Sequence, residues 1–176
     1  ASGKTLAEFA RERFFEPLGM SATHHFTDCT RVVPHRATAY DKHGKDFVID
    51  MSNWEQTGDG AVQSTVEDMA NYVIMQLNKG VAADGTRVVS EENLLITREP
   101  QVDVSADTSY GLGWFVGQYK GLTLIEHGGN TLGFTSEVAF LPDAGVGMVM
   151  LTNAQASNAF GSSVLARLFD LVFDDV

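Results

Sequence analysis

The residues of this chain best suited to chemistry lie in one segment, His127-Gly128-Gly129-Asn130-Thr131-Leu132-Gly133-Phe134. Two apolar runs typical of strands flank it, Leu122–Ile125 and Val138–Leu141. A histidine can gain or lose a proton near neutral pH, and glycines let a main-chain N–H closely approach an incoming carbonyl. The segment therefore predicts an acyl-transfer pocket in which His127 bonds or protonates the reacting group. On periodicity alone, a strand-end histidine bonded to a neighbour beside a glycine turn remains an open alternative.

The nucleophile that such a pocket needs is not recognisable in the 176 residues. No serine has a lysine three residues later, no Tyr-x-Asn or Ser-x-Asn precedes the strands, and Gly-x-Ser-x-Gly is absent. The sequence also lacks His-Glu-x-x-His and the glycine-rich motifs that bind phosphates or dinucleotides. The chain thus supplies one part of a site.

A long polar loop region contains side chains that could be considered as metal ligands. They are His24, His25, Asp28, His35, Asp41 and His43. Their spacing fits no familiar zinc pattern, so we expect neither a metal nor a cofactor. The single cysteine, Cys29, excludes an internal disulfide and a cysteine-based zinc cluster, and we expect it to be an inert thiol.

The charge of the chain excludes some classes of partner. The net charge is −11, and Arg167 is the only basic residue after Lys120. A protein that binds nucleic acid needs a Lys/Arg face to neutralise phosphates, and an anionic membrane surface is disfavoured for the same reason. No apolar run reaches the roughly 20 residues that span a bilayer. The charge itself names no partner; the acyl-transfer pocket predicted around His127 indicates a small acyl or peptide substrate for the complete site.

Apolar periodicity predicts helices in the first part of the chain and at its end. They run over about Thr5–Phe15, from a capping box at Ser64–Glu67 to a stop at Gly80, over Ser90–Arg98, and over Ser157–Phe173. From Ser21 to Gly60 the sequence is polar and has no clear apolar period, apart from short strand-like pieces at Ala37–Tyr40 and Phe47–Ile49. A loop of that length usually carries function or covers a site.

From Tyr110 the apolar period changes to two, which is typical of strands. The predicted strands are Leu112–Gln118, Leu122–His127, Phe134–Leu141 and Val146–Thr152, and Gly128–Gly133 is predicted as a joint. Short joints favour antiparallel pairing. The pattern predicts an α+β fold, with residues 1–109 as a helical and loop part and residues 110–176 as antiparallel strands followed by a helix.

The segments together resemble the serine β-lactamase and penicillin-binding-protein superfamily, specifically the class C β-lactamase-like serine hydrolases. The matching pieces are collinear and cover nearly the whole chain. They are Ser2–Thr5, Phe15–Met20, Val33–Ala37 with Tyr40, Gly58–Val62, Ser64–Asp68, Tyr110–Trp114, His127–Gly129, Gly133–Phe134, Val138–Pro142 and Met148–Asn153. The resemblance implies a β-lactamase/transpeptidase-like fold, an antiparallel sheet with flanking helices.

The resemblance also assigns roles to the segment around His127. The family uses a Ser-x-x-Lys, a Tyr-x-Asn and a third motif, Lys-Thr-Gly or His-x-Gly, on a sheet strand. His127-Gly128-Gly129 matches the third motif, so His127 would occupy the place of its leading cation and lower the cost of developing negative charge. The N–H of Asn130 would be one of two oxyanion-hole donors, and Gly128 and Gly129 would keep the strand edge open for substrate.

This chain departs from the family pattern because the first two motifs are missing. We expect it to be the C-terminal portion of a serine hydrolase, without the N-terminal strands and the nucleophile helix, and to be inactive alone because a covalent serine mechanism needs the serine. The uncovered sheet would then favour self-association or the missing half as a partner. Two alternatives stay open: a non-catalytic module that binds peptide or acyl ligands, and one half of a split enzyme. The compartment is unknown, and the resemblance alone favours the periplasm or the exterior.

Overall fold

A computed structural model describes residues 2–25, 35–43, 46–49, 60–131 and 133–173 of the chain. Its centre is an antiparallel sheet of six strands in the order β10-β9-β8-β7-β6-β5. These strands are β5 (Val102–Asp103), β6 (Ser109–Tyr110), β7 (Phe115–Tyr119), β8 (Leu122–Thr131), β9 (Phe134–Leu141) and β10 (Val146–Thr152). Two separate two-stranded sheets pair β1 (His24–His25) with β4 (Val62–Gln63) and β2 (Tyr40–His43) with β3 (Asp46–Ile49). The α+β prediction is confirmed, while the predictions for Asp28 and Cys29 fall outside the described residues.

Helices form in the four predicted places. They are α1 (Leu6–Ala10), which continues as a π-helical turn over Arg11–Phe15, α2 (Val66–Leu77), α3 (Glu91–Ile96) and α4 (Asn158–Phe173). The hydroxyls of Thr5, Thr65 and Ser90 accept main-chain N–H groups at the starts of α1, α2 and α3, which satisfies donors that a helix start leaves unpaired. Among the residues that the structure describes, no helix is long and apolar enough to cross a membrane.

The predicted capping box at Ser64 was wrong by one residue. Thr65 is the N-cap of α2, and its hydroxyl accepts the N–H of Asp68 at 3.2 Å. The hydroxyl of Ser64 instead lies 2.7 Å from that of Thr23. The buried carboxylate of Asp68 accepts the N–H of Ala22 and the O–H of Thr23, so this network fastens the preceding loop to α2.

The strands also differ from the prediction. The strand-like piece expected at Ala37–Tyr40 overlaps β2 at Tyr40 only, and β1, β4, β5 and β6 were not predicted. β7 begins at Phe115 rather than Leu112, because the N–H of Gly111 donates to the carbonyl of Trp114 and closes a turn. β8 runs through Thr131, so residues 128–131 belong to a strand rather than to a joint. The prediction failed there because glycines in a sequence usually indicate a turn, whereas here Gly128 and Gly129 pair with Glu137 and Ser136 of β9.

The sheet has a helix against each face. One face packs against α4 through a cluster of Ala139, Leu141, Leu165 and Phe169. The other packs against α2 through Val73, Trp114, Ile125, Val138 and Phe140. Gly147 lets β10 lie close to α2, because a Cβ there would be 2.5 Å from Val73 Cγ1. These two cores fix strands β8 and β9 between the helices.

Candidate active site

The structure places the four predicted site residues at consecutive positions of β8. Side chains alternate along a strand, so His127 and Gly129 share the face toward α2, and Gly128 and Asn130 share the face toward α4. His127 is opposite Val138, which packs with Val73 of α2, and Gly128 is opposite Glu137. His127 is an exposed residue.

The main chain of β8 has an open edge at the motif. The pairing of β7 with β8 covers residues 122–126 only. The hairpin between β7 and β8 has a two-residue turn, and its flanking residues Tyr119 and Leu122 exchange hydrogen bonds. The even-numbered residues of β8 therefore direct their N–H and C=O groups toward the β7 side. Beyond Glu126, the N–H groups of Gly128 and Asn130 face an edge that no described strand covers.

The side chain of Asn130 is already occupied. Its Oδ1 accepts the hydroxyl of Thr135 at 2.7 Å and the N–H of Ala156 at 2.9 Å, and its Nδ2 donates to Asn158 Oδ1 at 2.7 Å. These bonds tie the end of β8 to the loop before α4 and to the start of that helix. Only the main chain of Asn130 is left to face the open edge.

The ring of His127 lies among three groups that the sequence did not point out as site residues. Its Nδ1 is 2.6 Å from the carbonyl oxygen of Gly113 and 3.4 Å from the hydroxyl of Tyr110. The rings of Tyr110 and Phe115 have centroids 6.0 and 5.9 Å from that of His127. Within the described residues, Nε2 makes no hydrogen bond. Gly113 was the sequence signal that could have located these contacts, since a glycine between two strands often marks a special turn.

Sequence reasoning also missed the carboxyl of Glu137, which lies beside Gly128 on the face of the sheet toward α4. A Cβ on Gly128 would be 2.6 Å from Glu137 Oε2, and one on Gly161 of α4 would be 3.9 Å from Glu137 Cβ. Glu137 is 8% exposed and forms no hydrogen bond or ion pair with the described residues. Burial, with the negative charge of Glu126 as a smaller cause, raises its pKa from 4.5 to about 7. The carboxyl of Glu126, which also lies on β8, has its pKa raised by burial.

The raised pKa of Glu137 predicts that the protein loses stability as the pH rises. A folded-state pKa above the unfolded value contributes stability that is complete below about pH 4.5 and is lost as the pH approaches 7. A shift of that size corresponds to about 3 kcal/mol. Glu137→Gln stays neutral at every pH. As the pH rises from 4.5 to 8, the unfolding free energy of this variant should therefore increase relative to that of the parent by up to about 3 kcal/mol. Urea unfolding at pH 4.5 and pH 8 measures the difference.

The matched control for this prediction is Glu92→Gln, which changes an exposed carboxyl on α3. Its difference from the parent should not grow in favour of the variant as the pH rises, because a carboxylate in the first turn of a helix is stabilising. A Glu137→Gln variant whose difference from the parent is also independent of pH would show that folding does not raise the pKa of Glu137.

Comparison with a solved structure defines the fold. The chain superposes on the penicillin-binding protein from Bacillus halodurans with a TM-score of 0.80 at 19% sequence identity, covering 95% of this chain and 50% of that one. At that identity the likeness concerns the fold alone. The fold is that of penicillin-binding proteins over about half of such a protein.

The chain belongs to the Beta-lactamase family, whose model matches residues 1–172. It is 29% identical to a D-aminopeptidase from Cereibacter sphaeroides over 94% of this chain and 31% of that protein. It is 27% identical to an unguisins hydrolase from Aspergillus campestris over 98% of this chain and 34% of that protein. The chain thus spans about a third of the length of these relatives. The superfamily resemblance seen in the sequence is confirmed.

Proposed function

We propose that this chain forms the His-x-Gly wall of the active site of a serine hydrolase that cleaves amide, ester or β-lactam acyl groups through a covalent acyl-enzyme. Family membership and hydrolase relatives support the reaction class. The observation that carries the proposal is the open edge of β8 beside the exposed ring of His127.

In this proposal the N–H of Asn130 is an oxyanion-hole donor. It faces the open edge, and the hydrogen bonds of its side chain hold that part of the strand in place. The second donor is the amide of the nucleophilic serine. A single oxyanion donor contributes roughly 3 kcal/mol to transition-state stabilisation. Gly128 and Gly129 leave the edge free of side chains, so an extended acyl or peptide substrate can pair along it.

The serine itself has to come from residues that are not in this sequence. Because the chain spans about a third of its relatives, we propose that a segment with Ser-x-x-Lys and Tyr-x-Asn completes the site; chain and segment together are called the completed hydrolase below. The segment would cover a groove of about 330 Å³ between α2 and β10. Apolar residues form most of its lining: Val66, Ala70, Val73, Ile74, Leu77, Met148 and Val149. Without the segment, this surface favours self-association.

Hydrolysis assays on the chain alone and on the completed hydrolase test this proposal. The substrates are a chromogenic β-lactam, a short-chain ester and a D-amino-acid amide, and the segment is the one encoded upstream of Ala1, either joined to the chain or mixed with it. We expect turnover of at least one substrate by the completed hydrolase and none by residues 1–176 alone. Saturable binding without turnover by either form would instead indicate the ligand-binding module.

A further inference from the structure

The position of the ring proton of His127 follows from one contact. Nδ1 lies 2.6 Å from the carbonyl oxygen of Gly113. A carbonyl oxygen has no proton to donate, so a bond of this length requires the proton on Nδ1. The hydroxyl of Tyr110 is 3.4 Å from the same nitrogen, which is too far for a strong bond from a hydroxyl. The carbonyl therefore determines the tautomer.

The carbonyl of Gly113 is held in a fixed place. Gly113 has φ +91°, a conformation that side chains rarely adopt, in the turn that the N–H of Gly111 and the carbonyl of Trp114 close at 2.8 Å. Trp114 is 8% exposed, and its ring packs edge-on against Phe140 at 5.2 Å. Because the next residue is anchored in the core, the carbonyl cannot easily turn away from His127.

We infer that the main-chain carbonyl of Gly113 is a positioning group that keeps neutral His127 in the Nδ1–H tautomer, so that Nε2 is offered to the substrate or nucleophile as a hydrogen-bond acceptor. That Nε2 faces a substrate or nucleophile rests on the proposed function. The rings of Tyr110 and Phe115 both contact the imidazole and help to keep its orientation.

The consequence is a specific role for this histidine in the reaction. The leading lysine of a Lys-Thr-Gly motif has donors only. Neutral His127 with its proton on Nδ1 instead has a lone pair on Nε2, which accepts a proton from a hydroxyl in the site and can return it. His127 is therefore suited to proton transfer, and it becomes a cation only after Nε2 has taken up a proton.

Nitrogen NMR of the chain itself tests this inference, and it requires no nucleophile or turnover. In ¹⁵N-histidine-labelled protein at a pH where His127 is neutral, the Nδ1 resonance should show a directly bonded proton and the Nε2 resonance should not. The spectrum of His127→Gln identifies the signals of His127 among the five histidines. A peptide of residues 125–129, which lacks the Gly113 carbonyl, should show a mixture of both tautomers.

Gly113→Ala is the perturbing variant, and Gly85→Ala is its matched control. Both glycines have φ +91°, and a Cβ at either would meet nothing within 4 Å, so the two variants are matched in φ and in the space around the new side chain. We expect Gly113→Ala to shift His127 toward the mixture seen in the peptide and Gly85→Ala to leave it unchanged. The parent spectrum decides the matter if Gly113→Ala does not fold: an Nε2–H tautomer, or the peptide's mixture, would overturn the inference. If the parent shows the Nδ1–H tautomer but the completed hydrolase turns over no substrate, the result would instead count against the proposed function.

Discussion

Replacement of His127 by alanine is expected to lower kcat/KM of the completed hydrolase by about 10²-fold or more, the range that a positioned general acid or base contributes. The residue is exposed, and within the described residues its Nδ1 bonds the turn carbonyl of Gly113 and lies 3.4 Å from the hydroxyl of Tyr110. Its loss should therefore change the free energy of unfolding little, by less than about 1 kcal/mol. Steady-state kinetics and urea unfolding of the same variant measure the two effects.

A second substitution at this position separates two roles for the histidine. His127→Lys supplies a cation and three donors but no acceptor. If Nε2 transfers a proton as inferred above, the lysine variant should be nearly as impaired as the alanine variant. Retention of most activity by His127→Lys would show that a positive charge is sufficient and that the acceptor is not needed.

The control for both variants is His43→Ala. His43 is exposed on β2, where its ring lies 3.6 Å from the carboxylate of Asp41, and the proposal gives it no part in the reaction. Its kcat/KM should equal that of the parent. Unchanged kcat/KM in His127→Ala would remove the histidine from the mechanism and leave the oxyanion donor as the contribution of this chain.

Phe140→Ala is expected to lower the free energy of unfolding by about 3–5 kcal/mol, the usual cost of removing a buried aromatic ring. Phe140 is fully buried. Its ring packs against Trp114, and the Arg98 guanidinium carbon lies 4.8 Å from its centroid. Since domains are stable by only about 5–15 kcal/mol, this loss should be visible in a urea titration as a much lower midpoint.

Phe160→Ala is the matched control, because that ring is 59% exposed on α4 and its removal should change stability by no more than about 0.5 kcal/mol. Equal effects of the two substitutions would contradict the described core. Phe140 also supports Trp114, which anchors the carbonyl that bonds His127. Where Phe140→Ala remains folded, we expect its His127 tautomer to be less uniform than in the parent.

Sequence periodicity predicted the elements whose packing is local or strongly patterned. The helix after Ser157 and the strands that became β9 and β10 were placed within one residue of their ends. Their apolar spacing records which face is buried. The hydroxyl of Ser90 similarly predicted a helix start, since an N-cap bond involves residues only three apart.

The parts that the sequence could not predict depend on contacts between distant segments. β8 extends through Gly128 and Gly129 because β9 pairs with them, which overrides the turn preference of glycine. The bond from Nδ1 of His127 to the carbonyl of Gly113 joins residues 14 positions apart, and no residue type announces a main-chain acceptor. The raised pKa of Glu137 follows from its burial, and a glutamate in a strand sequence gives no sign of being buried.

The most direct test of the central claim is intact-protein mass spectrometry after exposure to a penicillin or an activated D-amino-acid ester. The completed hydrolase is expected to gain the mass of one acyl group, located by fragmentation on the serine of Ser-x-x-Lys, while residues 1–176 alone gain none. The rate of acylation should fall in His127→Ala. An adduct on the chain alone, or a completed hydrolase that no acyl donor modifies, would contradict the account.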